Sequence, residues 1–305
     1  MKTIQLGGSA LAGSEIALGC MRMAGHTVEE VRTLIETSYE AGINFYDHAD
    51  IYGKGESETL FGKALKETSI KREDLVIQTK CGIRPGFFDF SKEHIIQSVD
   101  NSLQRLGMDY VDALLLHRPD TLMEPEEVAE AFRILRESGK VRHFGVSNQN
   151  PVQMALLNRY LDEKLIINQL QFSITNTTMI DAGLNVNMEN AAAVNRDGSV
   201  LDYCRLHDIT IQAWSPFQYG FFEGVFLDNP KFPELNQVID RIASEKGVTN
   251  SALAVAWILR HPARIQTIIG TTNPERLKAI CKASDVELTR QEWYEIYRSA
   301  GNILP

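Results

Sequence analysis

The chain has 305 residues, 44% of them hydrophobic and 23% charged, with a formal net charge of −9. That composition supports a large apolar core and excludes a disordered chain, while an acidic balance without a Lys/Arg cluster excludes a general nucleic-acid surface. Four cysteines, Cys20, Cys81, Cys204 and Cys281, form no CxxC pair, and neither a signal-peptide core nor a run of about 18 apolar residues is present, so a soluble protein with free thiols in a reducing cytoplasm is expected.

In chain order, strand-like apolar runs fall at 15–19 (EIALG), 43–46 (INFY), 75–79 (LVIQT), 111–116 (VDALLL), 141–146 (VRHFGV), 165–169 (LIINQ), 209–214 (ITIQAW) and 265–270 (IQTIIG). Between them, 28–41, 92–106 and 125–138 carry apolar residues at helical spacing. Ser91 and Gly107 read as the start and stop of one helix, and Pro151 and Pro274 as first-turn prolines. Strand–helix alternation requires parallel strands covered by helices, and eight units favour a closed barrel over a doubly wound sheet. The expectation is one α/β domain over 1–305, a (β/α)₈ TIM barrel. It carries a long polar insert at 176–200 after strand 6 and an extra C-terminal helix from 288 onward, both expected to shape a substrate pocket.

The stretch GINFYDHADIYGKGESETLFGKAL (42–65) runs from a strand into Asp47, His48, Asp50, Tyr52 and two glycines. A dinucleotide fingerprint fails here, because Glu58 stands where the third glycine belongs. Glu56 and Glu58 instead read as compensation of a helix dipole. No metal is expected: Asp47 and His48 are strand neighbours facing opposite sides, and no second His–carboxylate cluster exists. An acid–base site remains. Asp47, Lys80 and His117 end three consecutive strands, with Tyr52 in the loop between the first two, at the rim where barrel enzymes place chemistry. A neighbouring ammonium from Lys80 is expected to lower the Tyr52 pKa from its usual value near 10, with Asp47 holding Lys80 charged. His117 can donate to a carbonyl oxygen, so the set suits carbonyl reduction with Tyr52 as proton donor.

These residues resemble the aldo-keto reductase family. The resemblance rests on GINFYDHADIYG with SETLFGKAL, VIQTK, DYVDALLLHRPD, GKVRHFGVSN, INQLQFS, IQAWSPF and IIGTTNPERL, in family order from 42 to 277. It implies a (β/α)₈ barrel binding NADP(H), with Asp47, Tyr52, Lys80 and His117 as a catalytic tetrad. By the same matching, Ser147, Asn148 and Gln169 hold the nicotinamide carboxamide and Trp214 stacks on its ring. Ser215, Phe217 and Gln218 belong to a pyrophosphate loop. Gly270, Thr271, Thr272 and Arg276 form the adenosine-phosphate loop, where helix-start amides and a guanidinium suit a 2′-phosphate. Met21 and Arg22 face the cofactor from the first loop. The chain departs from the family pattern at His48, which replaces a threonine, and at Ala279-Ile280, which replaces a Glu-Asn pair; a basic residue near Gly270 is also missing.

The expected activity is NADPH-dependent reduction of an aldehyde or ketone, an oxidoreductase acting on a small-molecule carbonyl, with neither nucleic acid nor membrane as partner. No sequence feature sets an oligomeric state, and a monomer is compatible with it. Two other readings stand beside this one: a cofactor-binding regulatory or redox-sensing subunit of the same fold, and a phosphate-binding barrel in which Lys80 forms a Schiff base.

Overall fold

The computed structural model describes residues 1–304. Eight parallel strands close into a barrel: β1 (Ile16–Gly19), β2 (Phe45–Asp47), β3 (Val76–Cys81), β4 (Val111–Leu116), β5 (Val141–Ser147), β6 (Ile167–Gln171), β7 (Thr210–Trp214) and β8 (Gln266–Ile269). Each pairs with its sequence neighbours, and β8 returns to β1 through Thr267 opposite Ile16. All eight expected strands are present. The second spans Phe45–Asp47, starting and ending later than its apolar run at 43–46, so Asp47 lies inside the sheet.

The outer helices follow from local chemistry. The expected 28–41 helix is α1 (Val28–Glu40), started by a Thr27–Glu30 capping box. It is followed by α2 (Glu56–Leu65) and α3 (Lys92–Leu106). Ser91 accepts from the His94 N–H at the start of α3, and Gly107 ends it at φ 65. Pro125 and Pro151 open α4 (Pro125–Glu137) and α5 (Pro151–Asn158). Then come α6 (Thr178–Leu184), α7 (Val200–Leu206), α8 (Pro233–Lys246), α9 (Asn250–Leu259), α10 (Pro274–Cys281) and α11 (Arg290–Ser299). The 176–200 insert is therefore α6, a short 3₁₀ turn at Ala191–Ala193 and a polar lead into α7. It is tied to the C-terminal segment, Tyr297 Oη donating to Asp181 Oδ1 at 2.7 Å and Thr177 Oγ1 lying 3.2 Å from Asn302 Oδ1.

Strand parity divides the protein into layers. On β3, Ile77 and Cys81 point outward into the core shared with the helices, and Thr79 reaches Glu58 on α2. Val76, Gln78 and Lys80 point inward. An apolar cluster of Ala17, Phe45, Val76, Ala113, Leu115, Ile166, Ile167 and Ile268 runs along the barrel interior from a floor at the strands' N-terminal ends, around Phe45 and Val76. An N-terminal hairpin, Thr3–Gln5 with Ala12–Ser14, closes that end and inserts Ile4 and the fully buried Leu6 into the same cluster. Nothing in the strand–helix alternation announces this plug. Above the floor the interior turns polar, with Gln78, Gln212, Gln266, Asp47 and Lys80 all buried.

The hairpin plug should matter to stability out of proportion to its length. Leu6→Ala is expected to cost about 2–5 kcal/mol, the range for large-to-small changes in a packed core, as measured by urea unfolding.

Candidate active site

The polar upper layer opens at the C-terminal ends of β2, β3 and β4, and a lysine without solvent access organises it. Lys80 Nζ lies 2.8 Å from both Asp47 carboxylate oxygens, 2.8 Å from the His48 carbonyl oxygen, and 3.2 Å from Tyr52 Oη. Burial alone would strip its proton, but Asp47 and Tyr52 outweigh that, and the net shift of its pKa is upward. Tyr52 is brought over the lysine by a tight turn. Gly53 and Gly55 have φ 57 and 90, and a Cβ on Gly53 would lie 2.3 Å from that of Ala24, so glycine is required there.

The Tyr52 pKa moves opposite to the expectation. Burial raises it; the Lys80 charge pulls it down as anticipated but does not prevail. The desolvated phenol therefore keeps its proton at neutral pH, the state a proton donor needs. His117, one residue beyond β4, presents its ring edge-on to Tyr52 with centroids 5.9 Å apart. Burial, helped by the charges of Lys80 and Arg118, holds it well below the usual histidine range, so it is neutral.

Asp47 also has partners beneath it. Gln78 Nε2 donates to its Oδ1 at 2.5 Å and Gln169 Nε2 at 3.1 Å. Both amides also donate to Gln212 Oε1, and Gln212 Nε2 donates to Gln266 Oε1 at 2.8 Å. Gln266 ends the chain on the Ser14 carbonyl. On the far wall, Trp214 Nε1 donates to Asn148 Oδ1 at 3.2 Å, Asn148 Nδ2 to Ser147 Oγ, and Ser147 Oγ to the Gln169 carbonyl. Asn148 and Ser215 are held at φ 57 and 52, uncommon for residues other than glycine.

A cavity of about 510 Å³ collects most of the residues singled out in the sequence: Met21, Arg22, Asp47, Tyr52, His117, Ser147, Asn148, Gln169, Trp214, Ser215, Phe217, Gln218 and Gly270 line it. Lys80 lies behind Tyr52. Thr271, Thr272 and Arg276 stand outside the lining. At that loop the Arg276 N–H is already taken by the Asn273 cap at 2.9 Å and the Asn273 N–H by Thr271 Oγ1, leaving fewer free helix-start amides than expected. Glu275 contacts Lys278 rather than Arg276.

Two expectations change. Among the described residues, the 176–200 insert and the C-terminal segment contribute nothing to this lining; insert residues Thr178, Met179, Arg196 and Asp197 border a separate cavity of about 330 Å³, reached across Asn148. The rim is built instead by Ile83, from the hairpin after β3, and by Phe221, Phe222 and Val225, from a hairpin after β7. The signal was the aromatic-glycine run YGFFEG, where Gly220 has φ 57 and Gly224 φ 145. Arg118, beside His117 in LLLHRPD, also faces the cavity, a position the strand-end spacing of His117 does not by itself mark. Secondly, Glu58 is more than dipole compensation. It is fully buried, accepting from Thr79 Oγ1 at 2.6 Å and pairing with Arg105 Nε at 2.7 Å.

Such a barrel, with a buried Lys–Asp–Tyr constellation opening beside a neutral histidine, is that of an aldo/keto reductase-type oxidoreductase. The aldo/keto reductase family model matches residues 15–300, and the chain belongs to that family. It is 37% identical to "Uncharacterized oxidoreductase YcsN" of Bacillus subtilis, across 97% of each chain, and 35% identical to the "6-dehydroglucose reductase" of Agrobacterium fabrum, across 94% of each. Among solved structures it resembles a thermostable aldo-keto reductase, Tm1743, in complex with the inhibitor epalrestat, at TM-score 0.79 and 26% identity, covering 98% of this chain and 100% of that one. Among the described residues, no helix is long and apolar enough to cross a membrane.

His48 points away from Asp47, sealed against Phe61 with ring centroids 4.6 Å apart and neither ring nitrogen hydrogen-bonded among the described residues. Burial, then the Lys80 charge, push its pKa down to about 3. The unfolded chain binds this proton from about pH 6.5 downward while the folded chain refuses it, so stability present above that pH drains away on acidification. His48→Asn should reduce the slope of unfolding free energy against pH between about 6 and 4 by up to about 1.4 kcal/mol per pH unit, one proton's worth, in urea titrations across that window.

Proposed function

We propose that the protein reduces an aldehyde or ketone to an alcohol with NADPH as hydride source. The observation that carries this reading is the 3.2 Å contact between Tyr52 Oη and an ammonium sealed against Asp47, at the head of a cavity that reaches from His117 to Gly270. NADPH, when bound, supplies the hydride.

The residues of the cleft fit such a cofactor. Gln169 and Asn148 offer amide groups for a carboxamide, and Trp214 offers an aromatic face. Gln218 Oε1 is buried with no partner among the described residues, and Arg22, 3.2 Å from the Gly270 carbonyl, stands at the opposite end. Within this frame a carbonyl oxygen rests between Tyr52 Oη and His117. The neutral His117 donates to it and fixes its position. Tyr52 passes its proton to the developing alkoxide, and Lys80 stabilises the tyrosinate left behind. Asp47 keeps Lys80 charged throughout, and the apolar rim of Phe221, Phe222 and Ile83 keeps water from the oxygen as charge develops.

Tyr52→Phe deletes the proton donor and little else. It should lower kcat for an aldehyde by about 10²–10⁴-fold while NADPH affinity, followed by quenching of tryptophan fluorescence, stays close to that of the parent; near-parental turnover would overturn the reading.

The preference for NADPH rests on Arg276, exposed at the start of α10 and without an ion pair among the described residues. If its guanidinium receives the 2′-phosphate, Arg276→Ala should weaken NADPH by about 1.5–3 kcal/mol, the range for hydrogen bonds to a charged group, and leave NADH nearly unaffected. Equal weakening of both nucleotides in parallel titrations would show that Arg276 only supports the loop.

A further inference from the structure

Arg118 is the residue of the cavity that the reduction chemistry leaves unexplained. It follows His117 directly, is half-buried and lines the cavity, yet among the described residues its guanidinium makes no hydrogen bond and no ion pair. Its Cζ lies 5.6 Å from the Trp214 ring centroid and 5.8 Å from that of Phe221, so aromatic faces hold it in place while its N–H donors stay unused. Two carboxylates close to it in the sequence or the cavity have other partners. Asp47 accepts from Lys80, Gln78 and Gln169, and Asp120 accepts from the backbone N–H groups of Phe90 and Leu122. The remaining wall near the rim is apolar, with Ile51, Ile83, Phe222 and Val225.

Taking an arginine partly out of water without an anion is unfavourable, and burial does lower its pKa here. A ligand carrying the missing charge reverses that cost. We propose that Arg118 selects carbonyl substrates bearing a carboxylate a few atoms from the reacting carbon; this rests on the cavity being a site of carbonyl reduction. A single planar guanidinium presents one fork, which matches the two oxygens of one carboxylate. Its adjacency to His117, on the wall they share with Tyr52, sets the anion on the same side of the cavity as the carbonyl oxygen, while the aromatic rim packs the carbon chain between them.

The test is a pair of aldehydes of one carbon skeleton, 4-oxobutanoate and its neutral methyl ester, assayed with saturating NADPH in the parent, Arg118→Met and Arg118→Lys. The parent should favour the acid. In Arg118→Met the acid-to-ester ratio of kcat/KM should fall about tenfold to a hundredfold, the scale of a charge-assisted hydrogen bond, and the loss should appear in KM for the acid; Arg118→Lys should recover part of it. A ratio that stays the same in all three proteins overturns the inference, while turnover of the ester leaves the reductase reading standing. If neither aldehyde is reduced, the reductase reading falls instead, and Arg118 is then judged by fluorescence titration of the holoenzyme with the two compounds: a preference for the acid that disappears in Arg118→Met upholds the carboxylate site, and equal binding of acid and ester to the parent removes it.

Discussion

An ammonium group with no access to water, Lys80, is the constraint on which the site depends. A charge in that position is tolerable only if its partners are close and satisfied themselves. Asp47 meets the first condition with both carboxylate oxygens at 2.8 Å. The second is met one layer down, where Gln78 and Gln169 donate to Asp47 and are aligned in turn by Gln212 and Gln266, ending on the Ser14 carbonyl at the hairpin plug. Fully connected polar networks of this kind stiffen what they contain, whereas one missing partner makes them costly. The amide chain thus links the floor of the barrel to the charge pair at its mouth.

The same arrangement speaks against Lys80 as a Schiff-base nucleophile. That chemistry needs a free amine, and a lysine reaches it at neutral pH when desolvation or a neighbouring cation lowers its pKa. Here the desolvation is present, but Asp47 and Tyr52 reverse its effect and the pKa moves upward. Lys80 is built to stay charged and to serve its neighbours electrostatically.

The barrel was readable because its signal is repeated: eight apolar runs alternating with helical periodicity leave few other architectures, and each inward residue of β3 follows from parity once the strand is placed. The strand-end positions of Asp47, Lys80 and His117 were readable for the same reason. What escaped were features set by tertiary context. The N-terminal hairpin is too short to show a period, and its Leu6 has a role only because the barrel floor below Ala17 and Phe45 is open to it. The net direction of the Tyr52 shift depends on how deeply the phenol is desolvated, which spacing does not report. Length and polarity drew notice to the 176–200 insert, yet the run that walls the cavity is the short aromatic hairpin at 218–225, whose glycines turn Phe221 and Phe222 back over the mouth.

The glycines of the 42–65 stretch, which do not complete a dinucleotide fingerprint, have a mechanical explanation in two charges that flank them. Asp47 is fixed inside the barrel by Lys80, while Glu58, eleven residues later, is fixed outside by Thr79 and Arg105. Thr79 and Lys80 are adjacent on β3 and face opposite ways, so the chain must leave the interior and return along the back of the same strand within that short segment. The reversal is made through left-handed backbone, which Gly53, Lys54 and Gly55 all adopt, at φ 57, 56 and 90. Tyr52 is the last residue before the reversal. Anchored from both faces of β3, it has little freedom but to lie over Lys80, and the hydroxyl is positioned by the fold before any ligand arrives.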